Sequence, residues 1–72
     1  MLKIRTAKKN DAVPIILVHR DAVFLKGAGY YSQAMLEAWA LKPIPESISI
    51  IEREIANPDF IVLVAEVENE II

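Results

Sequence analysis

The sequence predicts an α/β (α+β) fold whose elements run in the order strand, helix, helix, helix, strand and start of a further strand. Three observations support this prediction: apolar and polar residues alternate near the amino terminus, helical spacing dominates the middle of the chain, and a nearly continuous apolar run follows Pro58. The sheet is predicted to be mixed. It is also expected to be incomplete within these 72 residues, because sheets usually contain more than three strands.

The chain is predicted to open with a short strand. Leu2, Ile4 and Thr6 alternate with Lys3 and Arg5. A period of two is typical of a strand with one buried face, here at or near a sheet edge.

The first helix is predicted over about residues 12 to 26, with Asp11 as its amino-terminal cap and Pro14 in its first turn. A glycine, Gly27 or Gly29, is expected to end it in a left-handed backbone conformation. Apolar residues occur on several faces, so the helix is expected to be covered on more than one side. The predicted core positions are spaced three and four apart: Ala12, Ile15, Val18, Ala22 and Leu25.

Two further helices are predicted before the apolar run. Ser32 can cap a short helix that ends near Leu41, ahead of a segment containing two prolines. Pro45 can occupy the first position of a third helix, predicted over residues 46 to 56. Three isoleucines share one face of that helix: Ile48, Ile51 and Ile55.

The apolar run is predicted to be the central strand. Residues 60 to 67 are mostly apolar and β-branched, which indicates a strand buried on both faces. Residues 68 to 70 are predicted to form a hairpin turn, and Ile71 and Ile72 to begin the next strand.

The composition excludes several classes of function. The chain has no cysteine, which excludes disulfides, zinc–cysteine sites and thiol nucleophiles, and no metal site is predicted. The net charge of −2 offers no basic surface for nucleic acid. No signal peptide and no apolar run approaching the ~20 residues of a membrane span occur, so a cytoplasmic protein without a membrane partner is expected.

The apolar content is high for so small a chain. Hydrophobic residues make up 54% of the sequence and the mean hydropathy is +0.33. A chain of this size buries only about 60% of its unfolded surface. We therefore expect a partner subunit or a continuation of the chain to complete the core.

Three polar features are weak candidates for chemistry. His19 could act as a general base, but no catalytic or metal-ligand cluster surrounds it in the sequence, so an ordinary helical histidine is favoured. Gly27-Ala28-Gly29 follows a helix rather than a strand, which favours a helix stop over a phosphate-binding loop. Glu66 could be buried with a raised pKa, although a solvent-facing strand end is favoured.

Four aromatic residues surround the corner between the first two helices. They could line a substrate pocket, since such side chains combine flat apolar walls with polar tips, or they could form a local packing cluster. Both interpretations stay open. The four residues are Phe24, Tyr30, Tyr31 and Trp39.

Several segments, taken in order, resemble the amino-terminal part of a GNAT-superfamily N-acetyltransferase. The resemblance covers essentially the whole chain. It is carried by Ile4-Arg5-x-Ala7 with Asp11-Ala12, by Tyr31-Ser32 with Leu36 and Ala38-Trp39-Ala40, and by Val64-Ala65-Glu66 with Asn69-Glu70-Ile71-Ile72.

This resemblance implies transfer of an acetyl group from acetyl-CoA to a small-molecule or peptide amine, by direct attack of the deprotonated amine on the thioester. The family's pyrophosphate-binding segment is not found in residues 1–72. The resemblance therefore implies a partial GNAT-like fold: a single amino-terminal portion of an acyl-CoA N-acyltransferase-like domain, without the CoA-binding half and inactive alone. No catalytic or cofactor-binding residue is assigned, and the four aromatic residues are expected beside the acceptor.

A second interpretation belongs to a different class of protein. A small non-catalytic interaction module would complete its sheet by strand pairing with a partner chain through residues 60 to 72. A homodimer is one form of such pairing.

Overall fold

A computed structural model describes residues 1–72, and it has the predicted order of elements in a mixed α/β arrangement. A short 3-10 turn, Lys9–Asp11, precedes the first helix. No helix combines the length and the apolar character that crossing a membrane requires. The elements are β1 (Leu2–Thr6), α1 (Ala12–Gly27), α2 (Gln33–Trp39), α3 (Pro45–Ala56), β2 (Leu63–Val67) and β3 (Glu70–Ile71).

The three strands form one sheet in the order β1-β2-β3. β1 pairs only with β2, with Leu2 opposite Val67 and Thr6 opposite Leu63, whereas β2 pairs with both other strands. β1 is therefore an edge strand and β2 is central, as predicted. Both strand pairs are antiparallel, and the predicted mixed sheet is therefore not observed.

The hairpin between β2 and β3 is shorter than predicted. Its turn consists of Glu68 and Asn69, whose φ angles are 54° and 67°. Positive φ at both central residues is what a two-residue type I′ hairpin requires. Glu70 consequently already belongs to β3, where it lies opposite Val67.

The core lies where α1 meets the other elements. Helix α1 packs against α2, α3 and β3, which confirms that it is covered on more than one side. Ile16 is the fully enclosed large side chain. The predicted core positions Ala22 and Leu25 are wrong, because both side chains lie on the solvent-facing side of α1. The buried apolar residues are Ala12, Ile16, Leu36, Ala40 and Val64.

Strand β2 is not buried on both faces, contrary to prediction. Val64 is 5% exposed, whereas its neighbour Leu63 is 59% exposed. Phe60 and Ile61, which were expected in the strand, precede it and are exposed. The physical reason is that the helices cover only the side of the sheet to which Val64 points.

Candidate functional site

The corner between α1 and α2 is built by small residues and a cap. Gly27 ends α1, and a Cβ atom at this position would overlap the buried Leu36 side chain. Gly29 has a φ of +89°, which glycine adopts without strain. Ser32 caps α2, because its Oγ accepts a hydrogen bond from the Met35 amide at 3.2 Å. The serine cap is thus confirmed. The predicted left-handed glycine at the end of α1 is not observed, because Gly27 is helical, Ala28 follows it with a φ of −59°, and Gly29 lies two residues beyond the helix.

Two of the four aromatic residues are in contact. The ring centroids of Tyr31 and Trp39 lie 4.8 Å apart with an interplanar angle of 76°, which is an edge-to-face arrangement. Such pairs are worth about 0.5–1.5 kcal/mol beyond the area that they bury. Both rings are nevertheless about half exposed, so the pair presents an apolar surface to solvent.

Arg20 connects Phe24 to α2, the helix that carries Trp39. The Arg20 guanidinium lies 5.1 Å from the centroid of the Phe24 ring. The same group donates to Glu37 Oε1 at 2.7 Å and to the Leu41 carbonyl at 3.3 Å. Arg20 therefore fixes α1 against α2 and against the segment that follows it.

Tyr30 is separate from the other three aromatic residues. It is 84% exposed, and its side chain makes no hydrogen bond within residues 1–72. Phe24 lines a shallow depression with Asp21, Leu25 and Ala28. The structure thus brings Tyr31 and Trp39 together, links Phe24 through Arg20, and does not form one pocket from all four rings.

A polar cluster that the sequence did not predict joins β1, β2 and the start of α1. Arg5 donates to Asp11 through Nη1 at 2.7 Å and through Nη2 at 3.1 Å. Its Nε donates to Glu66 Oε2 at 3.2 Å. The Lys8 backbone amide donates to Asp11 Oδ2 at 2.7 Å. One guanidinium therefore holds two carboxylates.

The cluster has clear electrostatic consequences. The hydrogen bonds from Arg5, and then from the Lys8 amide, lower the pKa of Asp11 to about 2, against the opposing effect of desolvation. The hydrogen bond to Asp11 raises the pKa of Arg5. Asp11 is therefore ionised at neutral pH and a poor proton acceptor, which favours a structural role for the cluster.

Two predictions at this cluster are wrong. Asp11 occupies the N-cap position of α1 as predicted, but its side chain does not cap the helix, because its carboxylate accepts from Arg5 and Lys8 instead of from the amides of that helix. Glu66 is not a solvent-facing strand end, since its side chain is 14% exposed and paired with Arg5.

Strand alternation predicted the opposite placement, with Leu2, Ile4 and Thr6 on the buried face of β1. Leu2 is instead 58% and Ile4 63% exposed, and the register places Arg5 opposite Val64, on the side that the helices cover.

A cleft of about 450 Å³ lies beside the cluster, between α1 and the β2–β3 hairpin. Leu17, Val18 and Ile71 supply apolar lining. Asp21 adds a carboxylate that forms no ion pair within residues 1–72, whereas Glu70 lies opposite Val67 and therefore on the other face of the sheet from Ile71. With Arg5 and Asp11 paired, the unpaired Asp21 gives the cleft a negative lining, which does not favour a phosphate.

The other polar candidates have ordinary surroundings. His19 is exposed, and its imidazole makes no hydrogen bond within residues 1–72. Among these residues, no three histidine or acidic side chains are grouped closely enough to hold a metal ion. The interpretation of Gly27-Ala28-Gly29 as a helix stop is confirmed, because α1 ends at Gly27 and no helix begins directly after Gly29.

Comparison of the chain with models of protein families, with curated proteins and with solved structures found no match in any of the three. The assignment of function consequently depends on the residues and geometry described above.

Proposed function

We propose that this chain is the acceptor-side portion of a GNAT-type N-acetyltransferase, which transfers the acetyl group of acetyl-CoA to an amine. The order of elements is the observation that supports this most. Strand β1 is followed by three helices, then by β2, a two-residue turn and β3, and the strands are neighbours in chain order. The segments on which the resemblance is based lie within these elements: Ile4-Arg5 in β1, Ala12 at the start of α1, and Val64-Ala65-Glu66 in β2.

The surface formed by Tyr31 and Trp39 is the proposed wall for the acceptor. The two rings contact each other edge to face yet are half exposed, so they offer an apolar surface that also carries a phenol and an indole N–H. Phe24 and Tyr30 would extend this wall along α1 and the corner. Asp21 lines both the cleft and the depression that contains Phe24, and its carboxylate would favour the approach of a positively charged amine.

The residues present do not fit the pyrophosphate of acetyl-CoA. Anions bind where helix amides point at them without competing negative charge. Asp11 lies at the start of α1, and Glu46 lies in the first turn of α3. The remaining helix, α2, is only seven residues long. The proposed enzyme therefore requires cofactor-binding residues outside these 72, and no catalytic step is assigned to residues within them.

Replacement of Trp39 by alanine tests the acceptor wall. In the natural gene product, with release of the CoA thiol as the readout, W39A is expected to raise the acceptor KM about tenfold and to leave the KM for acetyl-CoA unchanged. Phe60, an exposed aromatic residue outside the corner, provides the matched control F60A. An unchanged acceptor KM in W39A would contradict the assigned wall, and no thiol release with any amine would contradict the enzyme itself.

The free edge of β3 favours a second candidate, an interaction module that pairs strands with a partner chain. β3 pairs only with β2. The Ile72 amide donates to the Ala65 carbonyl, so alternation directs the Ile71 amide away from β2. An added strand would use that outward amide.

Substitution of Ile71 by proline tests this candidate. I71P removes the outward amide and keeps the hydrogen bond of Ile72, so edge pairing is expected to be lost while the chain stays folded. Size-exclusion chromatography with circular dichroism provides the measurement. A complex that persists in folded I71P is not built on this edge.

A further inference from the structure

The longest apolar run of the chain is only partly built into the sheet. Residues 60 to 65, called the apolar segment below, read Phe-Ile-Val-Leu-Val-Ala, but β2 begins only at Leu63. Phe60 and Ile61 are 57% and 81% exposed. Half of the apolar segment therefore lies outside β2, and two of those side chains face solvent.

The backbone at the start of the apolar segment has unpaired hydrogen-bonding groups. The Phe60 amide donates to the Asn57 carbonyl at 3.1 Å. The Val62 carbonyl accepts from the Ala7 amide at 2.8 Å. Between these two bonds, the amide and the carbonyl of Ile61 make no backbone hydrogen bond within residues 1–72. Unpaired groups next to an extended strand are a template for pairing with another strand.

The apolar segment has the composition of strands that stack in cross-β assemblies. Such strands are six or seven residues long, with high β-propensity, low charge and no proline. Four of the six residues here are β-branched or aromatic, and none is charged, glycine or proline. Because successive side chains of a strand point to opposite faces, both faces of the segment are apolar. Either face can therefore form the dry interface between two stacked sheets.

The charge pattern identifies the same segment of another copy as the partner. In-register stacking places each side chain on its own copy, so a charged residue would meet an identical charge. The apolar segment is uncharged, whereas Pro58 and Asp59 precede it and Glu66 follows it. Prolines and charges at such flanking positions oppose the aggregation of an apolar strand. The stretch that can stack on its own copy is therefore limited to residues 60 to 65.

We infer that copies of this chain assemble through the apolar segment into a cross-β stack, in which the strands of successive copies lie about 4.8 Å apart. The unpaired groups of Ile61 begin the pairing. Release of β2 from β1 completes it, because Val64 is buried in the folded chain. The inference does not depend on the proposed acetyltransferase activity. It also differs from pairing at the β3 edge, which leaves the fold intact.

Thioflavin T fluorescence of the 72-residue chain tests the inference. Each protein is incubated at the urea concentration that unfolds about 10% of it, so that variants are compared at equal unfolded population. The wild-type chain is expected to form fibrils that diffract at about 4.8 Å and 10 Å. Ile61→Lys is expected to slow fibril growth about tenfold or more, because in-register lysines would repel each other at a spacing of about 4.8 Å.

Leu25→Lys is the matched control. Leu25 is also 81% exposed, but it lies in α1, so this change adds the same charge away from the apolar segment. It is expected to keep the wild-type rate of fibril growth. Equal slowing in the two variants would mean that exposed apolar surface in general drives association, and it would overturn the inference. So would amorphous aggregates without the cross-β reflections, or a wild-type chain that stays soluble at about 100 μM.

Hydrogen exchange of the wild-type fibrils keeps the test valid if Ile61→Lys fails to fold. The amides of residues 60 to 65 are expected to be protected in the fibril, because each would be bonded to a neighbouring copy. Fibrils in which these amides exchange freely would overturn the inference.

Discussion

Replacement of Ile16 by alanine is expected to remove about 2–5 kcal/mol from the free energy of unfolding, the usual range for deletion of a buried isoleucine side chain. Ile16 is 0% exposed and is the fully enclosed large side chain of the core. A chain of 72 residues has a total stability of about 4–11 kcal/mol at ~0.05–0.15 kcal/mol per residue. I16A is therefore expected to leave a large fraction of the molecules unfolded at 37 °C.

Urea denaturation followed by circular dichroism provides the measurement, at one fixed protein concentration because association stabilises the folded state. Leu25→Ala is the matched control on the same helix. Leu25 is exposed, so this change is expected to alter stability by less than about 0.5 kcal/mol. Equal losses in the two variants would contradict the position of the core.

Replacement of Asp11 by asparagine is expected to cost roughly 1–2 kcal/mol of stability at pH 7, reduced from the full linkage value because Arg5 is partly solvated. The folded-state pKa of Asp11 is about 2, below its ordinary value of 3.8. A lowered folded-state pKa contributes stability that is present above the ordinary value and is lost as the pH falls toward the folded-state value. The difference between wild type and D11N is thus expected to close between about pH 4 and pH 2.

Thermal unfolding of both proteins across this pH range provides the measurement. Asp59 serves as a control, since its carboxylate makes no ion pair or hydrogen bond within residues 1–72. D59N is expected to match wild type at every pH. If the gap between D11N and wild type stayed constant from pH 7 to pH 2, the Arg5–Asp11 pair would not be the source of the loss.

Local signals were sufficient to predict most elements. Alternation at Leu2–Thr6 predicted β1, the cap at Ser32 predicted the start of α2, and Pro45 predicted the start of α3. These features act over a few residues, so the sequence contains them directly. The boundaries of α1 also agree with prediction to within one residue, because Gly27 ends the helix.

Burial was less predictable, since it depends on which elements meet. Helix α1 is apolar on most of its surface, so periodicity could not distinguish Ile16 from Ile15 as the enclosed position. The apolar run around Leu63 indicated burial on both sides, yet no element covers the side of the sheet to which Leu63 points. A run of apolar residues shows that a segment can be buried, but it does not identify which element packs against it.

The candidate site was predictable only in part. The sequence grouped the four aromatic residues by proximity in the chain, but contact between Tyr31 and Trp39 depends on how α2 turns relative to the corner. The Arg5–Glu66 pair joins residues 61 positions apart, so it could not be inferred without the register of the sheet. Long-range pairs of this kind require the fold before they can be recognised.

The intact mass of the natural gene product, measured together with its binding of acetyl-CoA, tests the proposed function most directly. Because residues 1–72 do not fit the cofactor's pyrophosphate, the natural product is expected to be heavier than 8.1 kDa. It is also expected to bind acetyl-CoA saturably, while the 72-residue chain does not. A natural product of 8.1 kDa that shows no saturable binding would contradict the acetyltransferase assignment and favour the interaction module.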